Sequence, residues 1–157
     1  MFLFHKKTKT LLRRMTNAKG LGLLIGLLGG FLFLPYYIGP YLTLSLQWGI
    51  VLWYLTFGVI IGLGGLLTTC PLMGKNCPLS KTKKWRPFWR GGFLGAWLNF
   101  VLAVIMYDTF TIIMTYFSVF PFANINILLL AAIEGFIVGA FIDLIATKFG
   151  GEGREIL

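Results

Sequence analysis

The chain has 157 residues, of which 57% are hydrophobic and 17% are aromatic, and its mean hydropathy is +0.83. A domain of this length could not bury so much apolar surface in water, so the composition excludes a water-soluble globular protein. It indicates an integral membrane protein. The net charge of +9 comes from fourteen Lys and Arg residues against five Asp and Glu.

The basic residues predict the orientation of the chain in the membrane. All fourteen lie in three short segments, 6–19, 75–90 and 148–154, whereas segments 39–47 and 114–126 carry no charge. Cytosolic segments of membrane proteins are enriched in Lys and Arg. We therefore expect both termini and the central loop to be cytosolic, and we interpret the positive charge as a feature that binds anionic lipid, not nucleic acid.

Four apolar runs are long enough to cross a bilayer, because roughly 20 residues of helix span its hydrocarbon. The sequence predicts an all-α integral membrane protein with four transmembrane helices in two hairpins. Residues 1–19 precede them as a basic amphipathic cytosolic segment, either lying at the interface or forming a solvated tail. The four-helix domain covers 20–157, with helices at about 20–38, 48–67, 92–113 and 127–147.

Glycines recur at spacings of four in each predicted helix, which allows two helices to approach closely. The candidate packing residues are Gly22, Gly26, Gly30, Gly58, Gly62, Gly91, Gly95, Gly135 and Gly139. A four-helix protomer does not obviously need so many close-packing faces. They favour association with other membrane subunits or with a second copy of the chain.

Several polar residues fall inside predicted spans, where an unpaired polar group is costly, and the candidate ion or proton site comprises Glu134, Asn99 and Asp143. Glu134 lies well inside the fourth span, and Asn99 of the third lies at a similar depth, so we predict a hydrogen bond between them. Alternatively, Glu134 binds a cation or relays protons. Asp143 is nine residues from Glu134 and faces the opposite way, so we expect it to pair with Lys148 or Arg90.

The central loop contains two further patterns. Bases and aromatic rings alternate before the third span, which is typical of lipid-headgroup anchoring, and the candidates are Lys83, Lys84, Trp85, Arg86, Trp89 and Arg90. Cys70 and Cys77 stand in two Cys-Pro-Leu repeats. Two thiolates are too few to close a zinc site, so they are only weak metal candidates, and we expect no metal or other cofactor.

Enzymatic function has little support in the sequence, since the only histidine, His5, lies outside the predicted spans. That excludes histidine-ligated haem within the membrane and a Ser-His-Asp triad there. We expect a non-catalytic packing or assembly subunit of a membrane complex or homo-oligomer. The alternative is an oligomeric channel or carrier for protons or small cations that uses Glu134.

Overall fold

The computed structural model describes residues 2–33, 44–64, 85–108, 111 and 126–151, and within these ranges the chain is helical and contains no β-strand. The helices are α1 (Phe2–Leu27), which continues as a π-helical segment (Leu28–Phe33), α2 (Leu44–Leu63), α3 (Arg86–Ile105) and α4 (Ile127–Gly150).

Each helix contains a stretch that is long and apolar enough to cross a membrane. The four candidate spans are Leu11–Leu32, Leu44–Leu63, Arg86–Ile105 and Ile127–Gly150. The prediction of an all-helical, multi-pass membrane protein is confirmed at this level.

The first helix differs from its predicted bounds. It begins at Phe2 and runs through residues 19 and 20 without a break, so the boundary between the basic segment and the first span falls inside one helix. The basic residues do not interrupt it because Lys and Arg are good helix formers. The part of the predicted span at 34–38 lies outside the described residues.

The other helices begin at or before their predicted starts. α3 begins at Arg86, six residues before the predicted start, because Pro87 lies in its first turn, where the missing amide hydrogen carries no penalty. α4 begins as predicted at Ile127, after Asn126, whose side chain accepts a hydrogen bond from the Leu128 amide at 3.0 Å. Residues 65–67, 109–110 and 112–113 of the predicted spans lie outside the described part of the chain.

Close packing through small residues joins α1 to α2. A Cβ atom added at Gly26 would lie 2.9 Å from the Cα of Val51, and one at Gly30 would lie 2.9 Å from the Gln47 carbonyl oxygen. Gly62 of α2 meets the backbone of Met15 in the same way, at 3.1 Å. Residue numbers rise along one helix as they fall along the other, so the two helices are antiparallel.

The pair α3 and α4 is built alike. A Cβ atom at Gly139 would lie 2.9 Å from the Cα of Gly95, and one at Gly135 would lie 2.7 Å from the Cβ of Asn99. Small residues permit this approach, because a larger side chain at these positions would hold the two backbones apart.

All nine glycines named above as packing residues have such neighbours inside the protomer. The expected surplus of small-residue faces is therefore wrong, because every one of these positions is occupied by the chain's own helices. The two helix pairs then meet around a core of Ala18, Phe57, Ile61, Ile142 and Ala146.

Candidate functional site

Three charged side chains meet inside one end of the bundle. Arg14 of α1 and Asp143 of α4 are 0% exposed, and Arg90 of α3 is 4% exposed. With Thr147, one turn beyond Asp143, they form what we call the ionic cluster. It connects three helices, and a backbone carbonyl of the fourth also takes part.

Arg14 is the centre of the ionic cluster. Its Nη2 donates to Asp143 Oδ1, its Nη1 donates to Thr147 Oγ1 at 2.7 Å, and its Nε donates to the Gly62 carbonyl oxygen at 2.9 Å. Gly62 lies in the last turn of α2, where carbonyls lack partners within the helix. Arg14 therefore also contacts the C-terminal end of α2, whose dipole favours a cation.

Arg90 of α3 binds the same carboxylate. Its Nε donates to Asp143 Oδ2 at 2.8 Å and its Nη2 donates to Oδ1 at 3.1 Å, which is the two-pronged geometry that suits guanidinium and carboxylate. Arg90 Nη2 also lies 3.4 Å from Thr147 Oγ1, and that hydroxyl donates to Asp143 Oδ1 at 3.2 Å. Both carboxylate oxygens are thus hydrogen-bonded.

The pairing of Asp143 with Arg90 was predicted from the sequence and is confirmed, but Arg14 is a further partner. Lys148, the other predicted partner, is exposed, and its ammonium lies 5.8 Å from the centre of the Phe149 ring. Arg14 belongs to the predicted basic amphipathic segment 1–19, but it is buried on the α1 face that packs on α2 and α4.

Two further side-chain hydrogen bonds lie deeper in the bundle, and we call them the midspan pairs. Tyr54 Oη of α2 donates to Glu134 Oε1 of α4, and Trp53 Nε1 of α2 donates to Asn99 Oδ1 of α3, at 3.1 Å. Glu134 follows the start of α4 by seven residues, or about 10 Å of helix. The midspan pairs therefore join α2 to the other helix pair at membrane depth.

The predicted hydrogen bond between Glu134 and Asn99 is wrong. α2 supplies a separate partner for each, because Tyr54 and Trp53 are consecutive on that helix and reach α4 and α3 respectively. Asn99 is buried at 2% exposure, whereas Glu134 is half-buried. As expected from their separation along α4, Glu134 and Asp143 have different partners.

A spacing rule could have located the missed residues. Arg14 precedes Ala18, Gly22 and Gly26 at successive intervals of four, so it shares their close-packed face. Thr147 continues the corresponding stripe of α4, which comprises Gly135, Gly139 and Asp143. Tyr54 likewise precedes Gly58 and Gly62. Polar residues that extend a small-residue stripe point into the bundle.

The predicted headgroup anchors do not share one environment. Trp85 is 52% exposed, as an interfacial ring would be, and Trp89 is half-buried beside Phe93 and Phe136. Arg90 is buried in the ionic cluster, so its prediction as an exposed anchor is wrong. Arg86 is half-buried in the first turn of α3. Lys83, Lys84, Cys70 and Cys77 lie outside the described residues.

Comparisons with known proteins give no family for this chain. No family model matches it, and no curated protein and no solved structure matches it either. Its chemistry must be judged from its own residues.

The chemistry of the two clusters differs. In the ionic cluster, both oxygens of the Asp143 carboxylate already accept hydrogen bonds from guanidinium groups, so it is poorly placed to bind a cation. In the midspan pairs, Glu134 has one side-chain partner among the described residues and is partly exposed. Its second carboxyl oxygen can therefore still accept a hydrogen bond or exchange a proton. Of the two carboxyl groups of α4, Glu134 is therefore the one that retains an oxygen able to bind a proton or another partner.

Proposed function

We propose that this chain is a non-catalytic packing or assembly subunit of a membrane complex or homo-oligomer, with two helical hairpins and both termini in the cytosol. The observation that carries the proposal is that Asn99, Glu134 and Asp143 each bind a side chain of the same protomer. Those bonds tie helices together, which is the use expected of polar groups in a structural subunit.

The outward surfaces support the same role. Large apolar side chains are exposed on every helix, for example Leu24 on α1, Trp48 on α2, Trp97 on α3 and Ile137 on α4. Such surfaces suit both lipid and the apolar surface of another membrane protein. Because the glycine faces are occupied within the protomer, association would use these larger side chains.

The orientation follows the basic segments. The ionic cluster lies at the bundle end formed by the start of α3 and the end of α4, the end that also holds Arg86 and Lys148. This distribution agrees with a cytosolic location for that end. Tags at either terminus should be protected from protease in sealed, right-side-out vesicles. Accessibility of a tag from outside would contradict the orientation.

Cross-linking in native membranes tests the assembly role. Lys19 and Lys148 are exposed, so an amine-reactive reagent can reach them before any detergent is added. We expect a cross-linked species above the mass of one chain, and a stoichiometric partner or second copy after purification in mild detergent. A chain that remains at monomer mass in both experiments would contradict the proposal.

The second candidate is an oligomeric channel or carrier for protons or small cations. The partial exposure of Glu134 at membrane depth favours it. Flux into liposomes should then fall in Glu134→Gln and persist in Asp108→Asn, a matched change at an exposed site just beyond α3. Equal flux in the wild type, in Glu134→Gln and in protein-free liposomes would exclude this candidate.

A further inference from the structure

Trp97 of α3 is exposed at a depth that is unusual for tryptophan. It is 64% exposed and follows the start of α3 at Arg86 by eleven residues, or about 16 Å of helix. Tryptophan in membrane proteins is enriched at the two interfaces, where its ring lies at the level of the headgroups. Trp97 lies well inside the candidate span Arg86–Ile105. A role as an interfacial anchor therefore does not explain it.

The indole of Trp97 is a hydrogen-bond donor that lacks an acceptor in its own protomer. Tryptophan has one N–H and no acceptor atom. Trp53 donates its N–H to Asn99, but Trp97 makes no hydrogen bond within the ranges that the structure describes. Acyl chains offer no acceptor at this depth. The N–H of Trp97 is thus available to an acceptor on another protein.

Glu134 places an acceptor at the edge of the exposed face of α4. Its Oε1 accepts from Tyr54, and its Oε2 has no partner in the described part of the chain. At about 100° per residue, Phe141 lies about 20° around the helix from Glu134, and Ile137 lies about 60° from it. These two side chains are 52% and 62% exposed. The half-buried Glu134 therefore borders a surface that is open to a neighbouring helix.

The donor and the acceptor lie at similar depths. A Cβ atom at Gly135 would lie 2.7 Å from the Cβ of Asn99, so these two positions are level with each other. α3 and α4 are antiparallel, and Trp97 is two residues from Asn99 toward the start of α3. Glu134 is one residue from Gly135 in the opposite direction along the bundle. The depths of Trp97 and Glu134 thus differ by about 4.5 Å, less than one helical turn.

Within one protomer, the two exposed surfaces point to opposite sides of the α3–α4 pair. Trp97 is two residues from Gly95, which contacts α4, and Ile137 is two residues from Gly139, which contacts α3. Two residues correspond to about 200° of rotation, so each surface points away from the other helix. One protomer can therefore use both surfaces at once, with one neighbour on each side.

We infer that copies of this chain associate through these surfaces, with Trp97 of one copy donating its indole N–H to Glu134 of the next. Lipid would leave both groups unpaired, whereas a second copy supplies each with its complement. Because two different surfaces meet, the contact is heterologous, and it continues from copy to copy unless it closes into a ring. The inference rests on the assembly role proposed above and specifies its homo-oligomeric form.

Association of the full chain in liposomes tests the inference. Copies that carry a donor or an acceptor fluorophore on a C-terminal tag are mixed, and energy transfer is followed as added lipid dilutes the protein. Trp97→Phe and Glu134→Met should each weaken association about threefold to twentyfold, the range that corresponds to one interhelical hydrogen bond in a membrane. Glu134→Gln keeps a carbonyl oxygen, and Trp48→Phe changes another exposed tryptophan. Both controls should associate as the wild type does.

A mixture of the two weakened variants tests whether the residues act as a pair. A Trp97→Phe copy keeps Glu134, and a Glu134→Met copy keeps Trp97, so the mixture retains one complete contact. It should associate more tightly than either variant does alone. If each variant associates with itself as the wild type does, the inference is overturned and the assembly role stands. A wild type that binds a different subunit but not itself has the same meaning, and a wild type that binds neither contradicts both.

Disulfide formation tests the contact without changing Trp97 or Glu134. In a chain with both native cysteines replaced by Ser, Phe100→Cys and Ile133→Cys place thiols on the two surfaces, at positions that are 38% and 45% exposed and lie at similar depths. Because the contact is heterologous, we expect cross-linked dimers when the two variants are mixed in liposomes and not when either is present alone. Absence of dimers from the mixture, or equal yields from each variant alone, would overturn the inference.

Discussion

The ionic cluster and the midspan pairs each supply hydrogen-bond partners to a carboxyl group of α4, but the partners differ. In the ionic cluster, Asp143 is fully buried and is bound by two guanidinium groups and a hydroxyl. In the midspan pairs, Glu134 is half-buried and has a single tyrosine partner. A carboxyl group bound by two guanidinium groups stabilises the fold. A carboxyl group with a single neutral partner can still exchange a proton or bind another partner.

Replacement of each carboxyl group by its amide measures that difference, and the largest effect is expected at Asp143. Asp143→Asn leaves Arg14 and Arg90 buried without a counter-charge, and breaking a buried pair in this way costs about 3–5 kcal/mol. The free energy of unfolding, measured by SDS titration in mixed micelles, checks this. Asp108→Asn, at an exposed site, is the matched control, and equal stability of the two variants would contradict the role of the cluster.

Steric pressure on the ionic cluster should have the next largest effect. A Cβ atom at Gly91 would contact the Cβ of Asp143 and lie 3.0 Å from the carbonyl carbon of Gly139. Gly91→Ala therefore forces α3 away from α4, and we expect a loss of about 1–3 kcal/mol in the same titration. Gly49→Ala is the control, because nothing lies within 4 Å of its Cβ position. It should leave stability unchanged or raise it slightly.

The midspan pairs should give the smallest effects. Tyr54→Phe removes the donor to Glu134, and interhelical hydrogen bonds in membranes contribute about 0.6 kcal/mol on average and up to about 1.7. Glu134→Gln keeps an oxygen that can accept from Tyr54, so its loss should be smaller still. A loss in Glu134→Gln as large as that in Asp143→Asn would remove the distinction between the two regions.

The sequence predicts the number and type of the helices because long apolar runs have few alternatives in a membrane. It also identifies the glycines that bring the helices together. It fails on helix starts at Phe2 and Arg86, since basic residues favour a helix as well as a loop. Basic residues therefore do not mark where a helix begins, because they can continue it beyond the apolar run.

The partners of the polar residues were harder to predict. Depth alone matched Glu134 with Asn99, but a hydrogen bond also depends on how the helices are rotated, and α2 supplies Tyr54 and Trp53 instead. The role of Arg14 was not predicted, because the basic residues of segment 6–19 were interpreted only as determinants of orientation in the membrane. Its four-residue spacing from Ala18 carried the information.

A double-mutant cycle between Arg14 and Asp143 tests the central claim, which is that α1 and α4 of one protomer are joined by this ion pair. Arg14→Met and Asp143→Asn, measured singly and together by SDS titration, should show a coupling free energy of about 1.5–3 kcal/mol. The combination of Arg14→Met with Glu134→Gln should be additive, since these residues have separate partners. Additivity within about 0.5 kcal/mol for Arg14 and Asp143 would contradict the claim.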